Sequence, residues 1–308
     1  MIWDFFIGKK FGSRRLPMSS LNVYAAQAKK SITVNGYATA DITREQLVRW
    51  ADNLTYISYY SYGFTMEGEL IPIEDTDLIR IAYESGVAPL MVLTPFDETG
   101  ICRYDLVKEV LTNPHMRDRL INNIVLSVAE KNYYGVVINF GYIAEEDRNE
   151  FVVTVAKSAA RLNRRGKLII VSVVAGESDE GIDYESLSRA ANFIELRTFR
   201  EEQISEPPSP ISPIDRMRQT IFEITAMADP RFILLAIPNF GFDWSLPYIQ
   251  GRTAAETISV AEAADRAART GVAVQYSETA HSPHYHYADA AGIVHAVWFE
   301  DERSLRVK

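Results

Sequence analysis

Glu195 is the residue of this sequence best placed to do acid or base chemistry from inside a fold. It sits in the run Phe193–Phe199, whose alternation puts Glu195, Arg197 and Phe199 on one strand face pointing inward. A carboxyl there can hold or release a proton, but a buried charge also needs a partner, and Arg197 stands two residues away. A structural ion pair is the favoured role, with proton transfer the weaker alternative.

Other groups invite chemistry less. Glu145, Glu146 and Asp147 follow an apolar run where a helix begins, and read as charge that suits a helix N-terminus. His281, His284 and His286, with His295 nearby, raise a zinc or copper reading, because His284 and His286 share a strand face. No cysteine or carboxylate stands at ligand spacing, so structural or surface histidines are expected and neither a metal nor a cofactor is assigned. Aromatic residues crowd the ends of two apolar runs: Tyr59, Tyr60, Tyr62 and Phe64 in one, Phe240, Phe242, Trp244 and Tyr248 after the other. Such rings either fill a core or stack on sugars.

The elements that must position these residues follow a regular rhythm. Candidate strands are Ile32–Tyr37, Tyr56–Tyr62, Ala88–Thr94, Tyr134–Phe140, Leu168–Val174, Phe193–Phe199 and Phe232–Pro238. Between them lie amphipathic stretches with helix-start signals, such as Thr43-x-x-Gln46 and Asp75-x-x-Leu78, and apolar spacing of three and four over Leu106–Leu111 and Met116–Glu130. Strand and helix alternating at this period predict a parallel sheet with helical crossovers. Seven such units exceed a simple open sheet, so the expected fold class is α/β, a (β/α)8 TIM barrel. From Phe242 the rhythm changes to one helix, Ile258–Thr270, and short antiparallel strands at Val272–Tyr276, His284–Tyr287 and Val294–Phe299, with a turn at Asp289–Gly292.

Composition narrows the partners. A chain of 308 residues that is 47% hydrophobic can fill a sizeable core. A net charge of −9 leaves no basic surplus for phosphates, so no nucleic-acid partner is expected. No window reaches the ~18 consecutive apolar residues of a membrane span. MIWDFFIG is too short for a signal-peptide core, so a soluble chain without a clear export signal is expected. The single cysteine, Cys102, excludes an intrachain disulfide.

The stretch Tyr133–Ile143, YYGVVINFGYI, reads as a buried parallel strand with Val137, Asn139 and Gly141 on one face. With ITVNGY, APLMVLT, SPIDRMRQTI and VWFEDERS, it resembles glycoside hydrolase family 18, specifically its spore-cortex peptidoglycan N-acetylglucosaminidase branch. The family pattern in this strand is D-x-x-D-x-D-x-E, and the corresponding residues here are Tyr134, Val137, Asn139 and Gly141. The sixth-strand pattern Met-Thr-Tyr-Asp is replaced by Arg197, Thr198, Phe199 and Arg200.

The resemblance implies one barrel domain over residues 1–308, with a small α+β insertion at 242–299 after the seventh strand. It also implies lost catalysis, since the acid position is Gly141 and no catalytic residue is assigned beyond the substitute candidate Glu195. A glycan containing N-acetylglucosamine, in peptidoglycan or a chitin-like chain, is the implied ligand, with Tyr60, Tyr62, Asn139, Phe240, Trp244 and Trp3 as expected contacts. The alternatives are residual glycosidase activity and a spore-coat structural role without sugar binding; a spore-associated location follows from the branch. Where the family places an eighth strand, after the helix beginning at Glu302, this sequence stops. Two readings of Ile2–Ile7 stand: an eighth strand supplied by circular permutation, with Trp3 under the sugar, or an unrelated leader.

Overall fold

The structure, a computed structural model, describes residues 32–39, 41–176, 181–199 and 201–308. These fall into two compact units, one of residues 32–197 with 224–236, the other of residues 198–223 with 237–308. Ile2–Ile7, Trp3 and Arg200 lie outside the described residues, and with them the expected eighth strand.

The first unit contains β1 (Asn35–Thr39), α1 (Arg44–Ala51), β2 (Tyr56–Phe64), β3 (Leu70–Ile71), α2 (Thr76–Glu84), β4 (Ala88–Leu93), α3 (Tyr104–Thr112), α4 (Pro114–Glu130), β5 (Gly135–Gly141), α5 (Arg148–Asn163), β6 (Leu168–Val174), α6 (Tyr184–Ala190) and β7 (Phe193–Arg197). After α7 (Ile214–Met227), which begins in the other unit, β8 (Ile233–Ala236) completes it. Seven strands run parallel in the order β1-β2-β4-β5-β6-β7-β8, with β3 antiparallel beside β2. This is the curled half-barrel sheet, with helical crossovers, of a TIM-barrel-like α/β fold.

Hydrogen bonding between distant strands demonstrates the curl. β1 and β7 are five steps apart along the sheet, about 24 Å if it were flat, yet Tyr37 on β1 bonds Glu195 on β7 at 2.6 Å. In β5, Phe140 faces the helical layer, its ring 6.0 Å from Phe151 of α5. Asn139 is bonded by Arg197 of β7 and so faces the concave side, and Val137, two residues earlier, shares that face.

Local sequence fixes the helix starts. Thr43 and Gln46 form a capping box at α1, Gln46 N–H donating to Thr43 Oγ1 at 3.2 Å and Thr43 N–H to Gln46 Oε1 at 2.9 Å. Asn113 caps α4 by accepting from His115 and Met116 amides, ahead of Pro114 at the first helical position. Asp75, expected as the cap of α2, makes no cap bond. Its carboxylate instead accepts from Lys131 Nζ and the Tyr133 hydroxyl, each at 2.7 Å, and from the Tyr62 hydroxyl. An ammonium donor is a stronger partner than a backbone amide, which explains the difference.

The second unit carries a five-stranded antiparallel sheet, β10-β9-β13-β12-β11. Its strands are β9 (Phe240–Ser245), β10 (Glu256–Ser259), β11 (Gln275–Ser277), β12 (Ser282–Ala288) and β13 (Val294–Phe299). α8 (Val260–Thr270) packs Ala263 and Ala267 against Tyr285, Val297 and Phe299, and α9 (Glu302–Val307) follows β13. The Asp289–Gly292 turn closes with Asp289 N–H donating to Ile293 O at 2.9 Å. Among the described residues no helix is long and apolar enough to cross a membrane.

Candidate functional site

The concave face of the half-barrel concentrates buried polar side chains. Asn35 and Tyr37 come from β1, Ser58 from β2, Asn139 from β5, Ser172 from β6, and Glu195 and Arg197 from β7, all buried. Their strands are otherwise apolar, so each polar residue must be satisfied by another.

Glu195 is the hub. Its Oε1 accepts from the Tyr37 hydroxyl at 2.6 Å and the Ser172 hydroxyl at 2.9 Å, and its Oε2 accepts from Asn35 Nδ2 at 3.3 Å. Ser58 in turn donates to Asn35 Oδ1 at 2.8 Å, which fixes that amide with its nitrogen toward the carboxylate. Burial pushes the Glu195 carboxyl above its ordinary value, against the pull of these donors and of the Arg197 charge. Burial and the neighbouring carboxylate together hold the Tyr37 phenol well above its ordinary value. The pair works as a neutral phenol donating to a carboxylate.

The direct Glu195–Arg197 ion pair expected from the strand alternation does not form. Residues two apart on a strand point the same way roughly 7 Å apart, and donors on β1 and β6 reach the carboxylate first. Arg197 Nη2 donates instead to Asn139 Oδ1 at 2.8 Å. A guanidinium only donates, so this bond orients the amide with Nδ2 turned away.

Gly141 ends β5 half-buried, with φ +71°, a left-handed conformation that L side chains rarely adopt. A Cβ built at this position would lie 3.0 Å from Cε1 of Tyr104, the first residue of α3. This is the C-terminal end of the strands, the face where barrels bind ligands. Tyr134 lies at the opposite end of β5, stacked on Tyr56 with centroids 5.7 Å apart, and Val137 is fully buried.

The expected aromatic contacts separate on inspection. Tyr60 is half-buried at the rim, its ring edge-on to Phe96 at 5.9 Å. Tyr62 is 1% exposed and joins the Asp75–Lys131–Tyr133 cluster on the helical side, where burial and the Asp75 carboxylate push its phenol up to about 12. A register irregularity between Tyr59 and Tyr62 flips the strand parity, so Tyr62 shares the outer face of Tyr59, which bonds Leu78 O of α2 at 2.8 Å. In the second unit Phe240 and Trp244 are buried at 3% and 0% exposure, within a ring series through Phe199 and Phe242. None of these three rings has a face open to a sugar.

The histidines have separate roles. His284 stacks on Trp298 at 4.3 Å, and burial lowers its pKa; His286 is exposed. His295 Nδ1 lies 2.7 Å from Asp243 Oδ1, a contact in which that nitrogen carries the proton. Among the described residues no group of three or more metal-ligating side chains is assembled. Asp147 stands at the start of α5 without a side-chain cap bond, and Glu146 pairs with Lys108 at 3.3 Å.

Sequence reasoning missed Asn35, Tyr37, Ser58, Ser172 and Tyr104. For the first four a signal existed, since each is a lone polar or phenolic group on the inward face of an apolar strand. Tyr104 carried no such mark.

Comparison with known proteins gives the family. The profile of glycosyl hydrolases family 18 matches residues 105–308. YdhD of Bacillus subtilis, which bears the name of a sporulation-specific glycosylase, is 32% identical over 274 residues, covering 87% of this chain and 65% of that one. The cortical fragment-lytic enzyme of Bacillus anthracis is 29% identical over 262 residues, 83% of this chain and 61% of that one. The crystal structure of the spore cortex-lytic enzyme SleL from Bacillus megaterium superposes with a TM-score of 0.81 at 29% identity, over 89% of this chain and 66% of that one. The chain thus spans 61–65% of the length of these curated relatives. It belongs to glycosyl hydrolase family 18.

Proposed function

We propose that this chain keeps the family's barrel but not its proton-transfer chemistry, and binds a glycan containing N-acetylglucosamine without cutting it. The observation that carries the reading is Gly141. It stands where the family pattern has its acid, in a left-handed conformation and with the Tyr104 ring against it. General-acid help is worth roughly 10² to 10⁴ in rate. Asn139 replaces a carboxylate and is bonded by Arg197, whose positive charge opposes a developing oxocarbenium ion.

Binding is supported by the Asn139 amide, whose Nδ2 is turned away from Arg197 and suits an acetamido oxygen, and by the half-buried Tyr60 at the rim. The names of the relatives, a sporulation glycosylase and cortical fragment-lytic enzymes, favour peptidoglycan over chitin and a spore-associated location. Residual hydrolysis through Glu195 is disfavoured, because that carboxyl is 2% exposed and engaged by three donors. Calorimetric titration with chitotetraose, beside turnover of a chromogenic β-N-acetylglucosaminide, tests the reading. Binding without turnover is expected; turnover abolished by Glu195→Gln would replace it with the residual-enzyme reading, and no binding would favour a structural role.

A further inference from the structure

We infer that Tyr104 has taken over the space of the missing acid and is the residue through which the barrel mouth meets its glycan, an inference that rests on the glycan-binding reading above. The built Cβ of residue 141 would lie 3.0 Å from Tyr104 Cε1, 3.4 Å from its hydroxyl oxygen and 3.7 Å from Cζ. By ordinary bond lengths a glutamate carboxyl oxygen sits roughly 3.5 Å from its own Cβ. The phenolic oxygen therefore stands at the distance from position 141 that an acid's oxygen would occupy, with the ring edge filling the intervening volume. The side chain is absent at 141 and a polar oxygen has arrived from a different element.

The placement is fixed rather than incidental. Tyr104 opens α3 directly after the Pro95–Arg103 loop, whose ends are tied by Arg103 N–H donating to Pro95 O at 2.7 Å. Its side of the barrel is the strand C-terminal end, and the residue is 44% exposed. A phenol offers a sugar an apolar face together with a hydroxyl that both donates and accepts. It is a far weaker acid than a carboxyl. Contact at this point therefore holds a β-linked N-acetylglucosamine chain in place and leaves the glycosidic bond intact. Tyr142, one residue past Gly141 and 55% exposed, is the neighbouring phenol without this relation to position 141.

The test is calorimetric titration of the full chain with chitotetraose for wild type, Tyr104→Ala, Tyr104→Phe and Tyr142→Ala, with folding checked by near-ultraviolet circular dichroism. Tyr104→Ala is expected to weaken binding about tenfold, Tyr104→Phe less, and Tyr142→Ala less than about twofold. In wild type the Tyr104 ring proton signals, assigned by their loss in Tyr104→Phe, should shift during the titration. Should the alanine variant not fold, the phenylalanine variant and the ring signals decide. Unchanged affinity in a folded Tyr104→Ala, or ring signals that stay fixed while wild type binds, overturns the inference alone. A wild type that binds no tetrasaccharide overturns the glycan-binding reading itself, which is a different result.

Discussion

The hydroxyl of Tyr37 donates to the carboxylate of Glu195 across the concave face at 2.6 Å, joining β1 to β7. Neighbouring strands are held by their ladders, but these two are linked only because the sheet curls, so the bond stabilises the curl itself. Tyr37→Phe leaves a buried carboxylate with one fewer donor and should cost about 1–3 kcal/mol of unfolding free energy. Urea denaturation measures this, and a loss below the error of the extrapolation would mean that the strand ladders alone hold the curl.

The same carboxyl makes a pH prediction. Its folded pKa is raised by burial, so the folded state holds the proton more tightly than the unfolded chain. The stabilising contribution is complete below the ordinary glutamate value of about 4.3 and is lost as pH rises through the folded value. Glu195→Gln removes this dependence while keeping the shape. The stability of wild type relative to Glu195→Gln should therefore increase as pH falls through that interval, and parallel denaturation series show it. A difference that is flat with pH would place the Glu195 pKa at its ordinary value.

Asp75 is fully buried beneath Tyr62, Tyr133 and a one-third exposed Lys131. Asp75→Asn keeps the shape and removes the charge that three donors address. Because Lys131 can turn to solvent, the expected cost is about 1–3 kcal/mol rather than that of a fully buried pair. Lys131→Met should cost less, since it leaves the two phenols on the carboxylate. Denaturation of the two variants side by side gives the order, and the reverse order would show that the ammonium dominates.

The seven parallel strands were legible because each is a short apolar, β-branched run between helix signals, and burial on both sides demands that composition. What alternation cannot give is the partner across a curled sheet. Glu195 meets Tyr37 and Asn35 at sequence separations of 158 and 160, and nothing local marks that meeting. Tyr62 was misplaced for a different reason: one irregularity between Tyr59 and Tyr62 moves every later side chain to the other face. β9 escaped notice because Phe240–Asp243 is covered on both sides, with Asp243 satisfied by Arg266 at 2.6 Å and Tyr287 at 2.8 Å, so no polar alternation survives. At position 141 the sequence shows only a glycine; its left-handed backbone and its neighbour Tyr104 depend on tertiary structure.

Gly141 and Tyr104 should therefore behave as one unit when mutated. Gly141→Ala places a Cβ in a left-handed residue, about 1–2 kcal/mol unfavourable by itself, and also pushes it to 3.0 Å from the Tyr104 ring. Tyr104→Ala removes the second penalty and leaves the first. A double-mutant cycle by urea denaturation should give a coupling of at least ~0.5 kcal/mol, the double variant being less destabilised than the sum of the singles. Placing an acid at position 141 obeys the same geometry. Gly141→Glu alone should show no turnover of a chromogenic β-N-acetylglucosaminide, because its carboxyl would have to displace the phenol and enter from a strained backbone. Measurable hydrolysis by that single variant, or strict additivity in the cycle, would show that Tyr104 yields freely to a side chain at position 141.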